Sequence, residues 1–281
     1  MQIKRRQFMG TAFAAGIAAS TRSLGAQRAP AANGEGGPGD KPPKTSTANV
    51  EKLWNIPTYK AMNALEAAPD GLWIGDQVTE KACRVDWQTG KILYEVTLET
   101  HNISGLAVGG GYIWAGSNGS VNNRRPPRPQ DREYGEYVQL DMKTGKIVKT
   151  YRPIWGGGTH GLTYNLATGT LWTAALGIQC VAEFDPKDNL RVIRLMRTPG
   201  ERAHGLDVTR EFVYLLLATD RLVHKYTIEG AKLVEVIQIP KTDPDPHGLA
   251  LHDGYLYYCD SGLTDPGPGS APGQVCRFKV S

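Results

Sequence analysis

Beyond residue 50 the chain alternates short apolar runs with polar, turn-forming stretches, and no segment shows a convincing 3.6-residue helical period. Runs such as Ile92-Leu93-Tyr94-Glu95-Val96 and Leu233-Val234-Glu235-Val236-Ile237 have strand length and are bounded by Gly, Asp or Asn. They recur in a fixed order. A His-Gly-Leu triplet stands at His160, His204 and His247, and a tight turn and an apolar-aromatic pair follow it: Leu171-Trp172, Val213-Tyr214 and Leu256-Tyr257. Successive histidines are 44 and 43 residues apart. Two upstream units keep the frame but change its first residue, Asn63-Ala64-Leu65 before Leu72-Trp73 and Ser104-Gly105-Leu106 before Ile113-Trp114.

A repeat of this length, read as four short strands A to D, predicts an all-β β-propeller of five blades. Strand A is expected to follow the triplet, and strand B is the aromatic run. Strand C ends near an acid (Asp86, Asp141, Asp185), and strand D follows a Thr-Gly-Lys turn in the first two units. The last repeat runs out after strand C, so Val50–Ile56 is expected to supply its missing strand and close the ring. The A–B and C–D turns are short, whereas the B–C and D–A connections hold nearly all the extra length, notably 118–136, 152–159, 241–246 and 260–273. In a propeller those two connections emerge on one face. The triplets, at the D–A end of the innermost strand, belong to that face, which places the histidines at a channel mouth under the long loops.

The N-terminus changes the picture of charge. Lys4-Arg5-Arg6-Gln7-Phe8-Met9 is a twin-arginine motif, followed by a mild apolar stretch too short to span a bilayer, so 1–26 reads as a signal peptide for the periplasm or beyond. It carries Lys4, Arg5, Arg6 and Arg22 and no acid, which accounts for the whole formal charge of +4. The mature chain is balanced, and no basic-patch argument for nucleic acid survives. Residues 27–48 lack large apolar groups and read as a flexible linker, leaving 49–281 as the propeller. Of the four cysteines, Cys259 and Cys276 are expected to pair across adjacent strands, with Cys83 and Cys180 as buried thiols.

His160, His204 and His247 are the candidate catalytic residues and the candidate ligands of a divalent metal. Three converging imidazoles suit such an ion, and equally a substrate carboxylate or general-base work. The bland alternative is that His-Gly-Leu is the repeat's structural consensus, with histidine capping a strand and glycine allowing a bend. Asp260 or Asp220 would orient the histidines; Asp76 and Asp245 lie near the same face. His101 reads as an exposed loop residue, Tyr59, Trp155 and Arg202 as mouth residues, and Arg124-Arg125-Pro126-Pro127-Arg128 as a solvated loop or lid. No phosphate loop, dinucleotide fingerprint, nucleophile elbow or His-Glu-x-x-His is present.

Pro246-His247-Gly248-Leu249-Ala250 with Gly254-Tyr255-Leu256-Tyr257, and Thr159-His160-Gly161-Leu162-Thr163 with Gly169-Thr170-Leu171-Trp172, resemble the blade repeat of streptogramin B lyase-like propellers. Related repeats occur in the gluconolactonase-like and YVTN/NHL groups. The lyase resemblance implies a channel-mouth histidine base assisted by a divalent metal, and it matches all three histidines alike. The gluconolactonase resemblance would instead imply a calcium cage, for which Asn118, Asp220 and Asp260 are the available residues. The expectation is an exported, metal-assisted lyase or hydrolase acting on a small lactone, ester or sugar-like substrate. It needs neither nucleic acid nor membrane insertion once the signal is removed. The rival is a non-catalytic propeller that binds a ligand or a protein partner.

Overall fold

Alternating apolar runs make strands because every second side chain can be buried while Gly, Asp and Asn punctuate the hairpins. The computed structural model describes residues 41–59, 61–121, 125–198, 200, 202–262 and 271–280. The chain divides into two compact units, Met1–Ala31 and Ala32–Ser281. The first unit, with the expected signal peptide, and residues 32–40 of the expected linker lie outside the described residues.

Strands β1 (Lys44–Thr47) and β2 (Glu51–Asn55) precede the repeats. The first blade is β3 (Met62–Ala68), β4 (Gly71–Asp76), β5 (Lys81–Val85) and β6 (Ile92–Thr97). The second is β7 (Ile103–Gly109), β8 (Tyr112–Ser117), β9 (Glu136–Asp141) and β10 (Ile147–Tyr151). The third is β11 (Thr159–Asn165), β12 (Thr170–Ala175), β13 (Cys180–Asp185) and β14 (Arg191–Arg197). The fourth is β15 (Ala203–Val208), β16 (Phe212–Leu217), β17 (Leu222–Thr227) and β18 (Leu233–Gln238). The last is β19 (His247–His252), β20 (Tyr255–Cys259) and β21 (Gln274–Lys279), completed by β2, which pairs antiparallel with β21. The molecule is therefore the five-bladed all-β propeller expected, closed by its N-terminal strand. Among the described residues the only helical element is one 3-10 turn, Leu176–Ile178.

Two details differ from expectation. Lys44–Thr47, inside the stretch read as linker, forms β1 and runs parallel to β18 on the outer edge of the fourth blade. Side-chain burial would not reveal this, because Lys-Thr-Ser-Thr is held by backbone pairing to an open edge and by a Lys44–Glu235 ion pair at 3.2 Å. Cys259 and Cys276 are free thiols. They lie on paired strands, but Cys259 is opposite Val275 and Cys276 opposite Tyr258, so their side chains leave the sheet on opposite faces. Cys259 joins the core between the last and first blades, and Cys276 the core between the fourth and last. Cys83 is buried as expected, whereas Cys180 is half-buried.

Each pair of neighbouring blades encloses one apolar cluster, five in all. The strand-B aromatics Trp73, Trp114, Trp172, Tyr214 and Tyr257 are all buried in them. The inner strands meet still more closely. A Cβ on Gly205 would lie 2.6 Å from the Gly248 carbonyl carbon and 2.7 Å from the Leu249 nitrogen. Gly248 also has φ +58°, and a Cβ there would stand 3.0 Å from the Leu65 nitrogen of the first blade. The triplet glycine is thus required by backbone approach around the axis. We expect Gly205→Ala to cost about 3 kcal/mol or more, the upper end of overpacking, because a whole inner strand must move; denaturant unfolding measures it.

Below the triplets the axis holds a pair of buried carboxyls that the sequence reading did not single out. Glu66 on β3 accepts the N–H groups of Val108 on β7 (3.3 Å) and Tyr164 on β11 (2.9 Å). Asp207 on β15 accepts the N–H of Leu251 on β19 and of its neighbour Val208, each at 2.5 Å. Two side chains thereby touch the inner strands of all five blades. Burial, reinforced by the charge of Asp207, pushes the Glu66 carboxyl well above the ordinary range, and burial pushes Asp207 up to about 7. The folded protein therefore keeps protons that the unfolded chain releases near pH ~4. The contribution to stability is full below that pH and is lost as pH rises through about 7. Melting temperature should fall across this window in the wild type and fall less steeply in Asp207→Asn, where the buried Glu66 remains.

Candidate functional site

The first triplet residue of each repeat sits at the start of the innermost strand. In every blade the A–B pairing shifts register at this point, for instance between His160 and Leu162 on β11 and between Ala203 and Gly205 on β15. Such a bulge re-aims the adjoining side chain. The result is a row of three imidazoles. His160 and His204 have ring centroids 4.5 Å apart at 67°, and His204 and His247 are 4.5 Å apart at 78°. All three are buried, His247 completely. Asn63 and Ser104 hold the same position in the first two blades, so one arc of the mouth is imidazole and the other amide and hydroxyl. Below this ring a narrow axial cavity, too tight to hold a water molecule, is lined by Leu65, Leu106, Leu162, Leu206 and Leu249. The leucines floor the mouth.

The residue two before each of these forms a second tier: Ala61, Asn102, Gly158, Arg202 and Asp245. The carbonyls of the first four accept N–H groups from Gln77, Asn118, Leu176 and Ala218 at 2.8–3.1 Å, which ties each D–A loop to the end of strand B. In the last blade the tie is made by Asp260. It is wholly buried and accepts the N–H groups of Asp245 (3.1 Å), Gly262 (2.8 Å) and Ala271 (2.7 Å). Asp76 does the same in the first blade, accepting Ala61 N–H at 2.6 Å and the N–H groups of Val78 and Thr79. The described partners of the Asp260 carboxylate are thus loop N–H groups, as they are for Asp76. Asp220 is exposed.

The acid that reaches a histidine is Asp245, whose Oδ2 is 3.5 Å from His247 Nδ1. Asp245 is itself anchored by Arg221 at 3.1 Å. On the other side of the ring, the Arg202 guanidinium lies 3.4 Å from His247 Nε2. The Arg202 guanidinium, an obligate donor at Nε2, favours the tautomer whose proton is on Nδ1, on the side of the Asp245 carboxylate. His204 lies between its two neighbours and His160 ends the row.

The three histidines pack edge to face and do not form the tetrahedral donor set of a zinc site. Among the described residues no three His, Cys, Asp or Glu side chains are arranged to hold a metal ion. A metal at His160, His204 and His247 stays an expectation, and no step below runs through one.

Other candidates fall elsewhere. His101 is buried, not exposed: its Nε2 accepts Arg132 N–H at 3.4 Å, and burial lowers its pKa. Tyr59 is in the core between the last and first blades. Trp155 is half-buried against Phe184 and Tyr137. Arg125 is half-buried and Arg128 exposed, yet neither is free of the rim. Both bind the buried Glu80 at 2.5 Å, and Arg125 also binds Asp131 at 2.6 Å. The Arg125 guanidinium holds the Asp131 carboxyl well below its usual range. This segment of the rim is a pinned wall.

No protein-family model matches the sequence, and no curated protein matches it. Solved structures do. A glutaminyl cyclase from Myxococcus xanthus superposes with a TM-score of 0.61 at 13% identity, covering 85% of this chain and 100% of that one. A luciferin-regenerating enzyme matches with a TM-score of 0.49 at 12% identity, covering 83% and 95%. A streptogramin B lyase matches with a TM-score of 0.44 at 17% identity, covering 82% and 72%.

If Asp260 and Asp76 are equivalent loop ties, Asp260→Ala and Asp76→Ala should each lose about 1–3 kcal/mol for every buried N–H left unpaired. Chemical denaturation of both variants tests this equivalence; a neutral Asp260→Ala would contradict it. At these identities the likeness is one of fold: the chain is a β-propeller of the kind seen in the glutaminyl cyclase.

Proposed function

We propose that the channel mouth is the active site of an exported enzyme that breaks a C–O bond in a small ester, lactone or sugar-like substrate by general acid–base chemistry. The observation that carries this reading is the setting of the buried His247, with the Asp245 carboxylate on its Nδ1 side and the Arg202 guanidinium at Nε2. A buried imidazole in a fixed tautomer, oriented by a carboxylate, is the arrangement a general base needs. The fold supports the reading more weakly, since a propeller of this build is an enzyme in the glutaminyl cyclase. Export rests on the twin-arginine motif at Lys4-Arg5-Arg6.

In hydrolysis, Nε2 takes a proton from water as its oxygen attacks the carbonyl carbon. The acyl C–O bond then breaks, and the leaving oxygen receives a proton from the imidazolium. In elimination, Nε2 takes the proton from the carbon next to the C–O bond. The C–H electrons form the double bond while the oxygen departs with the bonding pair. Asp245 stabilises the imidazolium in both cases. His204 and His160 extend the row and pack against His247 and each other edge to face.

The test is turnover of p-nitrophenyl acetate, γ-butyrolactone and δ-valerolactone, with product mass distinguishing hydrolysis from elimination by one water. His247→Ala should lower kcat/KM about 10²–10⁴-fold with the fold intact. Asp245→Asn should lower it less and shift the alkaline limb of the pH profile. Full activity in the folded His160/His204/His247→Ala triple variant would sink the proposal, and no turnover of any of these substrates by the wild type would favour a binding propeller.

A further inference from the structure

We infer that the mouth selects a small hydroxycarboxylate or its ester, with Arg202 as the seat for the carboxylate or carbonyl oxygen and Asn63 Oδ1 as the acceptor for the hydroxyl. The inference rests on the mouth being the working site proposed above.

The case for Arg202 starts from its surroundings. Arginines on this face are mostly committed to structure. Arg125 and Arg128 are bound by Glu80 and Asp131. Arg221 is bound by Asp245 and by the carbonyls of Pro240, Asp243 and Pro244. Arg152 lies over the Tyr134 ring at 4.0 Å. Arg202, half-buried, alone among these has no acid partner among the described residues, and its one hydrogen-bond contact there is to His247. Its backbone has φ +55°, in the left-handed region that a side-chain-bearing residue rarely adopts. Asn102 (φ +47°) and Gly158 (φ +67°) share that conformation at the same repeat position, whereas Ala61 and Asp245 do not. An arginine there is worse than glycine for folding. What it adds is a guanidinium 3.4 Å from His247 Nε2 with most of its donors unused. Planar donors beside a base suit a carboxylate in the resting complex and the oxyanion that develops during C–O cleavage.

The case for Asn63 starts from a chain of amides whose direction is forced. Asn102 Nδ2 faces two carbonyls, Gly119 O at 3.1 Å and Ser120 O at 2.6 Å, so it must be the amide nitrogen. Asn102 Oδ1 then accepts from Gln77 Nε2 at 2.5 Å, and Gln77 Oε1 accepts from Asn63 Nδ2 at 3.2 Å. The chain ends on Asn63 Oδ1. That oxygen is buried and has no hydrogen-bond partner. Asn63 is 1% exposed and lines the axial cavity, on the inner strand next to β19. An orphaned buried acceptor at the mouth calls for a donor that the protein does not supply. A ligand spanning the mouth past His247 thus meets donors at Arg202 and an acceptor at Asn63, which is the pattern of a hydroxyl and a carboxylate on one small molecule.

The experiment uses mandelate as the probe, with phenylacetate lacking the hydroxyl and benzyl alcohol lacking the carboxylate. Binding is read by imidazole nitrogen NMR of the folded full chain, with His247 signals assigned from His247→Ala. Mandelate should perturb His247 most and bind at least tenfold tighter than either control. Arg202→Gln should abolish the preference for mandelate over benzyl alcohol, and Arg202→Lys should recover part of it. Asn63→Ala should abolish the preference for mandelate over phenylacetate while leaving the Arg202-dependent preference in place. Equal binding of the three probes, or identical behaviour in Arg202→Gln, overturns the inference. Mandelate binding with these dependences but no turnover of any ester would defeat the enzymatic reading alone. His247-dependent turnover that ignores Arg202 and Asn63 would defeat the inference alone.

Discussion

Everything at the axis follows from how near the five inner strands come to one another. At the second triplet position there is room for a hydrogen or, at Ala64 in the first blade, a methyl group. At Gly205 and Gly161 even a Cβ would reach backbone atoms of the next blade, 2.6 and 2.7 Å away. Backbones this close leave no space for a wide channel, so the residues on either side of the glycine are forced together. The third position becomes a leucine plug. The first position brings its side chains into van der Waals contact, and that is how three histidines scattered over 87 residues, from His160 to His247, become neighbours at 4.5 Å.

The same closeness explains the polar groups at the other end of the strands. Inner strands converging on an axis cannot all pair on their open side, because their next neighbour is another inner strand in a different blade. Val108, Tyr164 and Leu251 present N–H groups there, and Glu66 and Asp207 receive them. A buried carboxyl pair is an expensive way to satisfy backbone donors, and its raised pKa values record that cost. It persists because only a side chain with several acceptor sites can serve strands of different blades at once.

Repeat-level features were legible in the sequence because they are written five times. The blade count, the closing strand and the meeting of His160, His204 and His247 all follow from period and register. Features that depend on one copy were not. The pairing of Cys259 with Cys276 failed on a single step of register, which spacing alone does not reveal. Asp260 looked like a site residue because it follows strand B on the functional face; only its hydrogen bonds, and their repetition at Asp76, identify it as a loop tie. Asp245 was visible as an acid near the mouth, but nothing in its spacing separated it from Asp260. Glu66 and Asp207 carried one usable signal, a charge at the fourth position of an otherwise apolar inner strand.

The departures from symmetry are therefore where specificity resides. A perfect repeat would give five identical residues at the mouth and one ligand geometry on the axis. Here the first position reads Asn63, Ser104, His160, His204, His247, and the second tier adds charge only at Arg202 and Asp245. Both charged residues converge on His247, one at each ring nitrogen, although they arrive from different blades. His160 and His204 share the triplet but lack a carboxylate at the matching position, since Gly158 and Arg202 stand where Asp245 stands in the last blade. Duplication supplies three imidazoles of equal standing. The single acid two residues before the last one makes His247, rather than its copies, the group able to hold a proton at a chosen atom.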